Sequence, residues 1–331
     1  MDVDAFAAAH SAQWHRLEHL VRHRPRSGSE ADELVALYQR TATHLSMLRS
    51  ATPDPALVGK LSGLVARARA AVTGASTPAW RDAARFIVVS FPAACYLSWR
   101  WWVGVAAAML STSLVIGAWV AAHPDVQAVI AAPEEIRQLV EHDFADYYSA
   151  APAGSFAVQV WTNNAWLAAV CLVSGILVLP VLYVLWSNAL NVGVAAGLMA
   201  SAGRLDLFFG LITPHGLLEL TALFLAAGAG LRLGWTLVDP GPLPRGQAVA
   251  AQGRATVGMA LGVAGVLAVS GAIEAFVTPS GLPTWARIGI GGIAEVLFLT
   301  YVLVLGRRAV RAGHTGDLSS DEVGDWAPTA G

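Results

Sequence analysis

The chain has 331 residues, of which 55% are hydrophobic and 13% charged, with a formal net charge of −2. This composition excludes an ordinary soluble domain and fits an integral membrane protein. The near-neutral total is uninformative by itself, so the placement of the charges carries the reading.

Residues 1–76 read as a cytoplasmic region of three amphipathic helices. Phe6, Trp14, Leu17 and Val21 share one stripe; Leu34, Leu37, Tyr38, Leu45 and Leu48 share a second; Leu57, Leu61, Leu64, Val65 and Val72 share a third. Breaks fall at Pro25–Ser29, where Ser29 with Asp32 makes a capping-box-like start, and at Asp54-Pro55, a cap followed by proline at the first helical position. His15, His19 and His23 have a spacing open to a metal ion, but they lie opposite the apolar stripe with no carboxylate or cysteine to complete a site. They read as a solvated basic face. No short apolar run precedes a small-residue cleavage site, so no cleavable signal peptide is expected.

Residues 77–100 suit a helix lying in the headgroup region, with Trp80, Arg81, Arg85 and Phe86 as its anchors and Pro92 as a kink. The cluster Trp99, Arg100, Trp101 and Trp102 then marks the lipid interface. Six membrane crossings follow within 101–312, near 103–121, 166–186, 188–209, 213–235, 255–277 and 285–305. Residues 122–162 form an acidic outer loop with its own helix from Pro133 to Tyr148. The arginine-rich N-terminal region and Arg307, Arg308 and Arg311 place both termini in the cytoplasm by the positive-inside rule. That orientation requires 188–209 to cross, although it is glycine-rich and polar at its start. It reads as a crossing sheltered inside a bundle, with a re-entrant hairpin as the alternative. Cys95 and Cys171 lie in apolar stretches and read as core or lipid-facing thiols, and the tail 313–331 reads as disordered.

Ionisable groups inside such spans are costly and mark function by default. His215 and Glu219 lie one helical turn apart; Glu274 and Glu295 lie on two other spans. Asn163 and Asn164 fall at the same outer edge, with Asn188 and Asn191 nearby. Three readings stay open for this cluster. Its members can hydrogen-bond to one another and fix helix register, or His215, Glu219 and Glu295 can ligate a divalent metal ion, or the carboxylates can line an ion path. His-x-x-x-Glu is a weak signal, and no Walker loop, dinucleotide fingerprint, serine elbow or nucleic-acid motif accompanies it.

Several of these stretches are similar to one known family. Glu33-Leu-Val-Ala-Leu-Tyr-Gln-Arg40, the Asn163-Asn164 pair, the Asn188–Gly193 region and His215-Gly-x-x-Glu-Leu220 together resemble the stage II sporulation protein M (SpoIIM, formerly DUF95) membrane proteins. Asn188-Ala189 departs from the Asn-Gly expected there. The resemblance implies an all-α, polytopic bacterial inner-membrane protein. It also implies a scaffold that gathers protein partners; relatives outside spore formers are often associated with MoxR-type ATPases. The expected function is thus a non-enzymatic, homo-oligomeric membrane scaffold bound to lipid and protein partners and not to nucleic acid. A transporter with a buried His/Glu path and an intramembrane metal-dependent hydrolase are the alternatives.

Overall fold

The computed structural model describes residues 3–23, 27–50, 55–72, 79–146 and 152–318. They divide into two compact units, Met1–Ala83 and Ala84–Gly331. The described residues form helices and turns without strands, and six helices are long and apolar enough to cross a membrane. The fold is all-α and polytopic.

The first unit consists of α1 (Val3–His23), α2 (Gly28–Ser50) and α3 (Pro55–Val72). The three apolar stripes meet in one core built around Leu17, Leu48 and Leu61, each of which is fully enclosed. Enclosing one such side chain stabilises by about 1.5–3 kcal/mol, and this burial is the main favourable contribution to holding the three helices together. The α2 start differs from the expected cap: Ser27, not Ser29, accepts the Glu30 N–H at 3.2 Å, and the helix begins at Gly28. Asp54 lies outside the described residues. Arg16 clamps Glu33 with bonds of 3.0 and 2.7 Å, and this hydrogen bonding raises the guanidinium pKa and lowers that of the carboxyl. The pair is solvent-exposed and links α1 to α2, where an exposed ion pair adds little stability. His15, His19 and His23 are exposed, with the last two rings stacked at 4.4 Å.

The interfacial stretch is broken rather than continuous. Helix α4 (Ala79–Arg85) passes through a π-helical turn (Phe86–Ser90) into α5 (Phe91–Leu97). Pro92 has no N–H to give the helix ladder, and the neighbouring Phe91 N–H reaches back to the Phe86 carbonyl in the wider π pattern. Trp80 is exposed beneath the Arg81 guanidinium at 5.4 Å. Phe91 and Cys95, however, sit in the core of the bundle. Glycines admit them: a methyl group at Gly262 would strike the Phe91 ring, and one at Gly306 would lie 2.4 Å from the Pro92 carbonyl oxygen. The interfacial reading of 77–100 is therefore corrected for Phe91–Cys95, which is core. Trp99 and Arg100 are exposed, whereas Trp102 donates its indole N–H to the Cys95 carbonyl at 3.1 Å.

The crossings are α6 (Trp99–Ala122), α10 (Ala153–Val173), α11 (Leu179–Ser201), α12 (Leu205–Thr236), α13 (Arg245–Phe276) and α14 (Thr284–Arg311). Between the first two run the short helices α7 (Pro124–Ile130), α8 (Pro133–Gln138) and α9 (Phe144–Asp146), with a π-helical turn at Leu139–Asp143. Tyr147 and Tyr148 lie outside the described residues. The expected crossing over 166–186 straddles a break. A 3₁₀ turn, Ser174–Leu177, is followed by Val178 at φ 61° and Pro180 at the start of α11. Proline forbids helical continuity from the preceding turn, so the second span starts and ends earlier and the third is α11. The glycine-rich stretch from Asn188 is an unbroken helix, and α12 starts at Leu205, before Thr213. Gly193 and Gly197 seat α11 against Ser113, Ile116, Gly117 and Val120 of α6. Small residues at helix contacts are the means by which spans associate where lipid removes the hydrophobic driving force.

Helix α12 is the centre, enclosed without interruption from Thr221 to Gly230. Outward-facing Leu114, Val173, Leu179 and Trp285 are among the most exposed apolar side chains, as a lipid-facing surface requires. Both cysteines are buried free thiols. The first part of the tail is ordered against expectation. Gly313 and Gly316 adopt positive φ and turn the chain back, so that Asp317 accepts two bonds from Arg254 at 2.7 and 2.6 Å. Residues 319–331 lie outside the described part.

Candidate functional site

Helix α12 continues through Pro214, whose missing N–H leaves the Gly210 carbonyl without its usual donor. His215 follows directly, about 15 Å along the helix from Leu205 at 1.5 Å per residue. Here α14 comes closest: a methyl group at Gly291 would lie 2.1 Å from the Pro214 carbonyl oxygen. From α13, Ser270 donates its hydroxyl to the His215 carbonyl at 2.9 Å. The backbone around His215 is thus held from two sides.

His215 is only 5% exposed. Its Nδ1 lies 3.2 Å from the Thr278 hydroxyl, and its Nε2 lies 3.9 Å from Glu274 Oε1. Glu274 is 4% exposed, and its second oxygen has no hydrogen-bond partner. Glu219, one turn beyond His215, is half-buried and shares the cavity wall with Asn164. One potential ligand atom from each of His215, Glu219 and Glu274 lies within 4.8 Å of the others.

These groups line a cavity of about 710 Å³. Gln159, Asn163, Asn164 and Asn188 add polar edges, and Leu110, Phe208 and Phe209 supply apolar wall. Phe144 of the acidic connection stacks on Phe208 at 5.8 Å between ring centres, so that connection packs beside the cavity. Beyond it, α12 is enclosed from Thr221 to Gly230. Methyl groups at Gly228, Gly230 and Gly234 would collide with the backbone of Trp102, Cys171 and Gly175, at 2.7, 2.1 and 2.5 Å. The cavity is a pocket with a packed floor.

The predicted polar residues separate into two groups. His215, Glu219, Glu274, Asn163, Asn164 and Asn188 share the cavity. Glu295 stands apart: its Oε1 accepts the Thr221 hydroxyl at 2.8 Å, and it does not line the cavity. The register set by Gly291 against Pro214 brings Glu295 level with Thr221, deeper along α12 than Glu219. Asn191 is exposed, and Asn188 bonds back to the Val184 carbonyl at 2.9 Å while lining the cavity. Ser270, Thr278 and Gln159 were not singled out from the sequence. Ser270, Glu274 and Thr278 recur at four-residue spacing, so a polar stripe ending α13 was available as a signal.

An imidazole and two carboxylates at this spacing can hold a divalent cation, share a proton or fix the register of α12 against α13. Two family descriptions match the chain. Residues 4–74, which include α1–α3, match a domain of unknown function, DUF8413. Residues 106–279 match Stage II sporulation protein M. No curated protein and no solved structure matches. The second match covers more than half of the chain and contains His215, Glu219, Glu274 and every asparagine of the cluster. The chain belongs to the stage II sporulation protein M family of membrane proteins.

Proposed function

We propose that this protein is a scaffold of the bacterial inner membrane, holding protein partners through its N-terminal three-helix unit, and that it works as a homo-oligomer. The observation that best supports a scaffold over a transporter is the packing of α12. Thr221 to Gly230 is enclosed throughout, and its glycines meet neighbouring backbone. Alternating access needs one set of helices to rock or slide against another around the bound solute. Backbone contacts of this kind oppose such sliding, because a protein interior does not deform continuously.

In this reading both termini are cytoplasmic. An even number of candidate crossings is compatible with that arrangement, and the arginines before α6 and at the end of α14 favour it by the positive-inside rule. The cavity then opens toward the extracytoplasmic side, beside the acidic connection.

Two measurements test the proposal together. In cells, a photo-crosslinking residue at exposed Gln39 on α2 is expected to give discrete protein adducts that disappear when the rest of the N-terminal unit is scrambled. In proteoliposomes, the full chain is expected to carry no ion or small-solute flux above the lipid background. Flux abolished by Glu219→Gln would replace the scaffold with a transport path, and an absence of protein adducts would remove its partner-holding role.

A further inference from the structure

We infer that His215, Glu219 and Glu274 bind one divalent transition-metal ion of the zinc class in the wall of the cavity, with a coordination position facing the cavity. This inference is independent of the scaffold reading. Four observations support it.

The donors are an imidazole nitrogen and two carboxylates, drawn from two helices and within 4.8 Å of one another. A tetrahedral ion bound at about 2.0–2.2 Å would bring such atoms to about 3.3–3.5 Å from each other, a change that side-chain rotation can provide. An imidazole together with carboxylates selects zinc, manganese or ferrous iron over calcium or magnesium.

The imidazole is already oriented. A metal-binding histidine commonly donates its other ring N–H to a fixed partner, which sets its tautomer. Thr278 provides that partner at Nδ1, 3.2 Å away, and leaves Nε2 toward Glu274.

Glu274 is more than nine-tenths buried, yet its Oε2 has no hydrogen-bond partner. Among the described residues, neither Glu219 nor Glu274 is ion-paired with arginine or lysine. Two neighbouring carboxyl groups with only the His215 imidazole beside them in a membrane-embedded wall are a costly arrangement that a bound cation relieves.

The cavity supplies the open position. Three protein ligands with water or a small ligand as the fourth is the pattern of an open zinc site, and about 710 Å³ of space adjoins His215, Glu219 and Glu274. Glu295 does not line the cavity, and its oxygens are not among the ligand atoms that come together there.

The test is metal analysis of the full chain, purified in detergent without chelator, followed by chelation and titration with Co²⁺. The expected result is about one equivalent of a divalent transition ion per chain, and a visible Co²⁺ absorption that saturates at one equivalent. Glu274→Gln and His215→Gln should each abolish both signals, Glu295→Gln should retain them, and Thr278→Val should weaken binding by roughly 10–100-fold. Acetohydroxamate added to the Co²⁺ form should shift the spectrum if the open position exists. If His215→Gln does not fold, Thr278→Val and Glu274→Gln decide the matter. The proposal is overturned if the metal is below about a tenth of an equivalent with no saturable Co²⁺ signal, or if stoichiometric metal survives Glu274→Gln. An unshifted spectrum with acetohydroxamate overturns the open position.

Discussion

The three-helix unit and the membrane bundle are both all-α, but they are held together by different parts of the residue. In the unit, the enclosed groups are large side chains, Leu17, Leu48 and Leu61, and water exclusion supplies the driving force. In the bundle the tightest contacts are glycine against backbone, as at Gly230 and Cys171 or Gly291 and Pro214. Lipid is as apolar as a leucine side chain, so helices in a bilayer gain little by hiding leucine and more by close approach and by polar bonds. The bundle should therefore be sensitive to added atoms, and the three-helix unit to removed ones.

The largest effect is expected from adding a single carbon in the bundle. Gly230→Ala places a methyl 2.1 Å from the Cys171 carbonyl oxygen, which as backbone has no side-chain rotamer with which to withdraw, so α10 and α12 must separate. A loss of about 3 kcal/mol or more is expected, read as earlier thermal unfolding in detergent. Gly59→Ala in α3 is the contrast: nothing lies within 4 Å of the added carbon, so the change should gain about 0.5–1 kcal/mol from helix preference. Equal responses from the two glycines would remove the distinction between the regions.

The second effect comes from removal. Leu17→Ala leaves a void in the centre of the three-helix core and should cost about 2–5 kcal/mol. Amide hydrogen exchange would show lost protection across α1–α3. Unchanged protection there would mean that leucine packing is not what holds the unit.

The same difference in cohesion explains what could be read from the sequence. The amphipathic stripes of α1–α3 were visible because one face meets water and the other does not, and six apolar stretches with arginine-rich flanks were visible because the bilayer demands them. The second span was misplaced because a helix that is apolar all round carries no period to mark its end; the break at Val178 rests on Pro180 and one backbone angle. The interfacial stretch was over-extended because Phe91 is equally suited to lipid and to a glycine notch, and only Gly262 on a distant segment decides between them. At the site, His215 and Glu219 could be paired from their spacing on one helix. Whether Glu274 or Glu295 joined them depended on the register of α13 and α14 against α12, which Ser270 and Gly291 set in three dimensions.

The third prediction concerns that site. Glu274 carries an unpartnered buried oxygen, so Glu274→Gln should leave the metal-stripped protein unchanged or stabilise it by about 1 kcal/mol, since a neutral amide is easier to enclose than a carboxylate. In metal-supplemented protein the same substitution should remove any ion-dependent rise in unfolding temperature. A loss above about 1 kcal/mol in the stripped protein would assign Glu274 a structural role instead.

The smallest effect should come from the three-helix unit, which holds a cluster of His10, Trp14 and His44. Trp14 donates its indole N–H to His44 Nδ1 at 3.2 Å, and the His10 ring lies 4.1 Å from that of His44. Burial, then the charges of His10 and Arg40, lower the His44 pKa from its ordinary value of 6.5. Protonation would place a proton on the nitrogen that accepts the Trp14 bond, so the fold prefers the neutral ring. Because the folded value lies below the unfolded one, the contribution is fully present above pH 6.5 and is lost as pH falls through 6.5 toward the folded value. Hydrogen-exchange protection of α1 and α2 should therefore decline on acidification through this window, and His44→Gln should flatten the decline. An unchanged profile in His44→Gln would show that acid acts on the unit through other groups, such as Glu33, whose lowered pKa makes its contribution fade only at more acidic pH.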